Sequence, residues 1–276
     1  MSRSSNTLRV GVVARPQLLI EKLAEAANAV EAAGIADLWL WEDSFWSGGV
    51  VLATAALSTT SRLRVGLGLM PIPLRNPALA AMEVAALSRL HPQRFVPAFG
   101  HGIRTWMDQA GGAVDSPITL MREYVVAVRA LLQGEELTTR GRYVKLNGVR
   151  LAVPLDRREV PPVLIGANGP KSLMLAGEIA DGVLLGDIST PEAAAKAIEF
   201  VRQGRARSSL EHQPFSVVGY VEPGADPAAQ AEEYAAAGLN TLVFTTWEGD
   251  ADPRRLLAAA QAAIHAKPRS ERGNPS

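Results

Sequence analysis

The sequence predicts a (β/α)8 TIM barrel, and three observations carry that reading. Eight short β-rich runs alternate with eight helical stretches, which in about 250 residues is the arithmetic of that fold. The runs are apolar at consecutive positions more than at alternate ones, as parallel strands covered on both faces require. No phosphate fingerprint follows the first strand, where Val13-Ala14-Arg15-Pro16 stands, and this turns the reading away from a doubly wound sheet.

The elements follow in order. A strand at 8–13 leads into a helix marked by Leu19, Leu23, Ala26 and Val30, spaced by four, three and four and stopped at Gly34. Strands at 36–41 and 63–70 enclose a helix at 50–60. Asn76-Pro77 opens the third helix, 95–99 is the fourth strand, and Ser116-Pro117 opens the fourth helix. The second half gives strands at 163–167, 182–186, 215–221 and 241–246, a helix at 170–180, and helix starts at Thr190-Pro191, Asp226-Pro227 and Asp252-Pro253. In each such pair the polar side chain can accept an orphan N–H, while proline loses nothing because its missing N–H had no partner there. Gly134, Gly204 and Gly238 are read as helix stops.

One segment, 135–160, breaks the alternation. Runs at 142–146 and 149–153 flank Asn147-Gly148, a turn pair that tolerates positive φ at both positions. This predicts a β-hairpin inserted between the fourth helix and the fifth strand. The whole reads as one domain over 8–266, with 1–7 and 267–276 as disordered ends.

Composition removes several function classes. Lys and Arg number 28 against 28 Asp and Glu, so no net charge attracts nucleic acid or a membrane surface. There are no cysteines, hence no disulfide, thiolate metal site or cysteine nucleophile. No signal segment or long apolar span is present, and the expectation is a soluble cytoplasmic protein. Neither a His-x-His metal set nor a Gly-x-Ser-x-Gly elbow occurs, so no metal is expected.

In a barrel the chemistry sits at the carboxyl ends of the strands. Gly166-Ala167-Asn168-Gly169-Pro170-Lys171-Ser172 follows a strand and opens a helix, so its backbone can approach a phosphate at the positive helix end; a plain βα turn is the other reading. Gly100-His101-Gly102 is a shorter version, and His101 alone of the four histidines falls at a strand end. Glu42 and Asp43 follow the second strand as paired carboxylates. Such a pair suits proton transfer if one pKa is raised, or holds a loop by pairing with arginine. Gly186-Asp187 and Trp247-Glu248 complete the rim, and Trp46, Trp106 and Trp247 would suit a flat ring if they face the mouth.

Four blocks carry a resemblance. Ile35-Ala36-Asp37-Leu38-Trp39-Leu40-Trp41-Glu42-Asp43, then Leu63-Arg64-Val65-Gly66-Leu67-Gly68-Leu69 through Arg75-Asn76-Pro77-Ala78-Leu79, are similar to the bacterial luciferase-like flavin and deazaflavin oxidoreductases. So are Arg94-Phe95-Val96-Pro97-Ala98-Phe99-Gly100-His101-Gly102 and Gly166-Ala167-Asn168-Gly169-Pro170-Lys171. The resemblance runs from Leu8 to about Leu185, and the last third matches by element pattern only.

The resemblance implies a barrel binding coenzyme F420, an 8-hydroxy-5-deazaflavin, or alternatively FMN. The reaction it implies is hydride transfer to or from a small organic substrate, in a protein that is usually a homodimer. It also implies a non-prolyl cis bond at Gly68-Leu69 behind the ring. Gly100, His101, Gly102, Gly166, Ala167, Asn168, Gly169, Pro170 and Lys171 would lie along the ring edge and phosphate arm. The sequence departs from the family where many deazaflavin members carry Asp-His, since Glu42 and Asp43 stand there. Asp43, His101 or neither takes the proton. With FMN, monooxygenation is the expected reaction, and a member that binds the ring without turnover is the non-catalytic alternative.

Overall fold

The computed structural model describes residues 8–186 and 188–265. The expected disordered ends at 1–7 and 267–276, and the rim residue Asp187, lie outside the described residues. Eight parallel strands close into a barrel: β1 (Arg9–Ala14), β2 (Asp37–Leu40), β3 (Arg64–Pro71), β4 (Phe95–Gly100), β7 (Leu164–Gly166), β8 (Gly182–Leu185), β9 (Ser216–Val221) and β10 (Thr241–Phe244). Each pairs with its neighbours in sequence order, and β10 pairs back onto β1. Helices α1 (Ile20–Ala32), α2 (Gly49–Thr59), α3 (Pro77–Leu90), α5 (Pro117–Leu132), α6 (Pro170–Ile179), α7 (Pro191–Arg205), α8 (Pro227–Ala237) and α9 (Leu257–Ile264) stand between the strands.

Two apolar layers hold the barrel. The larger lies between strands and helices, and the inner one joins Val13, Trp39, Val96, Leu164, Leu184 and Val243 with further inward side chains. β3 contributes almost no side chain to that interior, because Gly66 and Gly68 occupy its inward positions. The Trp39 indole fills the space, and a Cβ on Gly66 would run into that ring.

The capping expectation holds at four of the five pairs: Asn76, Thr190, Asp226 and Asp252 each accept backbone N–H groups of the first turn. Asp252 caps a 3-10 turn that leads into α9. Ser116 does not cap α5; its hydroxyl pairs with that of Thr119 at 2.8 Å. Gly34, Gly134 and Gly238 adopt positive φ at helix ends, whereas Gly204 lies inside α7 and is no stop. It is there for packing. A Cβ on Gly204 would strike the Met174 carbonyl, and one on Gly177 the Val201 carbonyl, so the pair lets α6 and α7 cross backbone to backbone.

The inserted hairpin is present, with a different turn. Its strands are β5 (Leu137–Arg140) and β6 (Lys145–Val149), antiparallel, so the chain reverses at 141–144 and not at Asn147-Gly148. The Glu123 carboxylate on α5 sets the turn by accepting the N–H groups of Arg142, Tyr143 and Val144 at 2.8–2.9 Å. Asn147 and Gly148 together oppose Thr138 alone, which makes a β-bulge. Gly148 takes φ 61° and donates its N–H to the Thr138 hydroxyl. The positive-φ signal was real, but a bulge used it. A short helix α4 (Arg104–Gln109), unread in the sequence, follows β4 over the barrel mouth.

Candidate active site

The carboxyl ends of the strands enclose a cavity of about 790 Å³. Its floor is the β3 bulge, where register against β4 slips between Gly68 and Met70 and the Gly68-Leu69 peptide is cis. The bulge turns Leu69 toward β4 and β7, two glycines make room for it, and a third lets the bulge lie against Tyr220. A Cβ on Gly100 or Gly166 would collide with the Leu69 side chain, and one on Gly68 with the Tyr220 hydroxyl and Leu184. Gly100 therefore serves the cavity by seating Leu69 and is not itself in the wall.

Aromatic rings form one side. Trp247 stacks on Trp41 with centroids 5.4 Å apart and an interplanar angle of 29°. Trp41 leans on Tyr220, which meets the Trp39 edge at 5.8 Å. Tyr220 is buried and donates its hydroxyl to the Gly68 carbonyl at 3.3 Å; burial pushes its phenol well above the ordinary range. Trp106 on α4 faces it from the other side of the mouth, as expected, but Trp46 is more than half exposed outside the cavity. The expected third tryptophan is Trp41, the last residue of the apolar run that contains β2.

The opposite wall is the loop from Gly166 through Gly169, with Ser172 at the start of α6. The Asn168 amide oxygen accepts the Gly186 N–H at 3.2 Å, tying the β7 and β8 loops. No side chain caps α6, so its amino end keeps free N–H groups. Gly166, Ala167, Asn168 and Gly169 line the cavity, whereas Pro170 and Lys171 face outward from the first helical turn.

The two neighbouring carboxylates have separate situations. Glu42 is clamped by both terminal nitrogens of Arg75, at 2.9 and 3.0 Å, and by the Gly49 N–H at 3.1 Å. It is a loop anchor and lies at the cavity edge. Among the described residues the Asp43 carboxyl has no hydrogen-bond or ion-pair partner, and burial holds its pKa above the ordinary aspartate range. His101 lines the same cavity with a buried, unpartnered Nδ1, and burial pushes its imidazole pKa down. Ser44 adds a buried hydroxyl, also without a partner. Burial thus favours the uncharged form of both groups, which suits proton transfer near neutral pH. Trp41, Leu184 and Tyr220 were missed as wall residues. Trp41 ends a predicted strand, whereas Leu184 and Tyr220 lie within theirs and face the cavity through the inward alternation of a barrel strand, which the consecutive apolar runs conceal.

Residues 8–274 match the model of the luciferase-like monooxygenase family, which extends the likeness through the last third of the chain. A 5,10-methylenetetrahydromethanopterin reductase of Methanolobus tindarius is 28% identical over 228 residues, covering 82% of this chain and 68% of that protein. An F420-dependent hydroxymycolic acid dehydrogenase of Mycobacterium tuberculosis is 28% identical, covering 93% of this chain and 80% of its own. The same fold is found in the coenzyme F420-dependent tetrahydromethanopterin reductase of Methanopyrus kandleri, with a TM-score of 0.79 at 20% identity over 94% of this chain and 99% of that one. A closed barrel, a ring-walled cavity at its carboxyl end and a family match over nearly the whole length agree: the chain belongs to the luciferase-like monooxygenase family of oxidoreductases.

Proposed function

We propose that the cavity holds coenzyme F420 and that the protein moves hydride between that deazaflavin and a small organic substrate. The observation that carries the reading is the pair Asp43 and His101, left unpaired in a cavity otherwise walled by rings, glycines and apolar side chains. The residues fit the group. The volume lies in the range of ligand pockets, Gly68, Gly100 and Gly166 let the β3 bulge and Leu69 pack tightly beneath it, and orphaned polar atoms of Ser44 and His101 await partners. Leu69 and Gly68 would support the ring from behind, and the 166–169 loop with the uncapped end of α6 would take the phosphate arm. When bound, the deazaflavin supplies a two-electron hydride donor or acceptor; orientation and electrostatics come from the protein.

Asp43 holds the proton. In the reducing direction its carboxyl would give that proton to the substrate heteroatom, and in the oxidising direction its carboxylate would take the proton back. The aromatic side and α4 exclude water from this step. His101 is neutral at physiological pH and supplies a hydrogen bond from the far side.

Titration of the purified protein with coenzyme F420 and with FMN tests the reading by fluorescence. F420 binding followed by absorbance change on adding ketones or alcohols is expected. Binding of FMN alone would overturn it in favour of monooxygenation.

A second copy of the chain is the proposed partner. Helix α2 carries no charged side chain, and Val51 on it and Leu79 and Met82 on α3 are about half exposed or more, an apolar surface that suits a homodimer. Light scattering at a monomer mass would remove that part. No helix among the described residues is long and apolar enough to cross a membrane.

A further inference from the structure

The site as proposed makes no use of Arg15, although it is one of the most buried charged residues in the protein. Arg15 follows β1 directly and is 6% exposed. Among the described residues it has no acidic partner. Instead Nη1 donates to the Trp247 carbonyl at 2.7 Å and Nη2 to the Gly249 carbonyl, while the backbone N–H of Arg15 bonds the Ala251 carbonyl. From the other neighbour of β10 in the barrel, the Glu222 carboxylate after β9 accepts the Trp247 N–H at 3.1 Å. Trp247 is thus pinned at both its N–H and its carbonyl by charged side chains on either side, and its ring lies against Trp41 in the cavity wall.

Burying a guanidinium against neutral carbonyls is costly unless it secures something, because those carbonyls return less than a carboxylate would. What it secures here is the middle of a loop, since residues 245–251 hold no regular structure and the other ties lie toward its ends, from the Thr245 N–H to the Val221 carbonyl and from Arg255 to the Asp250 carboxylate. We infer that Arg15 is a positioning residue, assisted by Glu222, which fixes Trp247 as a rigid aromatic wall for the ligand. This rests on the ring-binding reading of the cavity. A fixed wall acts on ground state and transition state alike, so its loss should appear in affinity and KM rather than in kcat.

Amide hydrogen exchange over residues 245–251 tests the clamp without any ligand. Arg15→Met should raise exchange there about tenfold, with β2 unchanged, and unaltered exchange would overturn the inference. Arg15→Lys, able to reach one carbonyl at a time, should fall between wild type and Arg15→Met, and it serves alone if Arg15→Met does not fold.

A double-mutant cycle gives the second test, reading the affinity for whichever of F420 or FMN the wild type binds. Arg15→Met should weaken binding in the wild-type background and cost nothing more in Trp247→Ala, whereas additive losses would mean that Arg15 does not act through Trp247. A drop in kcat at unchanged KM would likewise refute a positioning role. If the wild type binds neither cofactor, the functional reading fails while the exchange result still decides the clamp.

Discussion

At the amino ends of β1, β2 and β3, Asp37 is 2% exposed, receives both Nε and Nη2 of Arg9 at 3.3 and 2.6 Å, and has Arg64 at 3.7 Å. Next to it Arg94 donates to the carbonyls of Leu63 and Leu57 and to the Thr60 hydroxyl. At the carboxyl ends of the same barrel, Asp43, Ser44 and His101 are buried or partly buried with no partner for their functional atoms. One end of the molecule answers its polar groups with complementary ones. The other answers Glu42 and Arg15 but, among the described residues, leaves Asp43, Ser44 and His101 open around a cavity, a cost that is sensible only where a ligand completes them.

The largest effect expected from breaking this contrast is at Asp43. Asp43→Asn should lower kcat about 10²–10⁴-fold in a hydride-transfer assay with F420 affinity retained; unchanged turnover would strip Asp43 of its role. The same variant has a stability signature. The folded-state pKa is raised, so the folded protein prefers the neutral carboxyl. The resulting penalty is absent below the ordinary aspartate pKa and complete above the raised one. Asp43→Asn should therefore increase Tm at neutral pH and leave it unaltered near pH 3.

At the closed end the signs reverse. Asp37→Ala strands two guanidiniums and should cost about 3 kcal/mol in urea denaturation, with turnover per folded molecule intact. A smaller effect probes the floor. Gly166→Ala places a Cβ 2.6 Å from Leu69 Cδ2 and should cost about 1–3 kcal/mol, divided between Tm and cofactor affinity. If neither moves, Leu69 is not held where it stands. The smallest is a titration: the His101 imidazole, followed by NMR in ligand-free protein, should have its midpoint below the ordinary value of about 6.5. A midpoint above it would mean that His101 has an anionic partner and the open end is less open than described.

The fold was legible because it is written locally. Asn76, Thr190, Asp226 and Asp252 cap what they precede, and apolar runs of consecutive residues locate the strands within a residue or two. What failed was the partner of a local signal. Asn147-Gly148 announces positive φ, but whether a turn or a bulge uses it depends on Glu123, nineteen to twenty-one residues from the amides it binds. Gly204 announces an interruption, yet its lack of a side chain is spent on α6.

The site divided in the same way. That Asp43 and His101 share a cavity follows from their places after β2 and β4, which the strand pattern supplies. That Glu42 is neutralised and Asp43 is not depends on Arg75, thirty-three residues beyond Glu42. Gly100 and Gly166 were singled out for a ligand's approach, and in the fold their bare Cα atoms also make room for Leu69, a contact that no local pattern announces.

The indole of Trp39 has one more consequence. It occupies volume that β3 would otherwise supply, and Gly66 is the vacancy that admits it. Neither position can change alone: a larger residue on the third strand has nowhere to go while the indole remains, and a smaller residue on the second leaves a hole beneath the cavity. The two side-chain volumes are complementary, so enlarging the barrel interior at one position requires a change at the other.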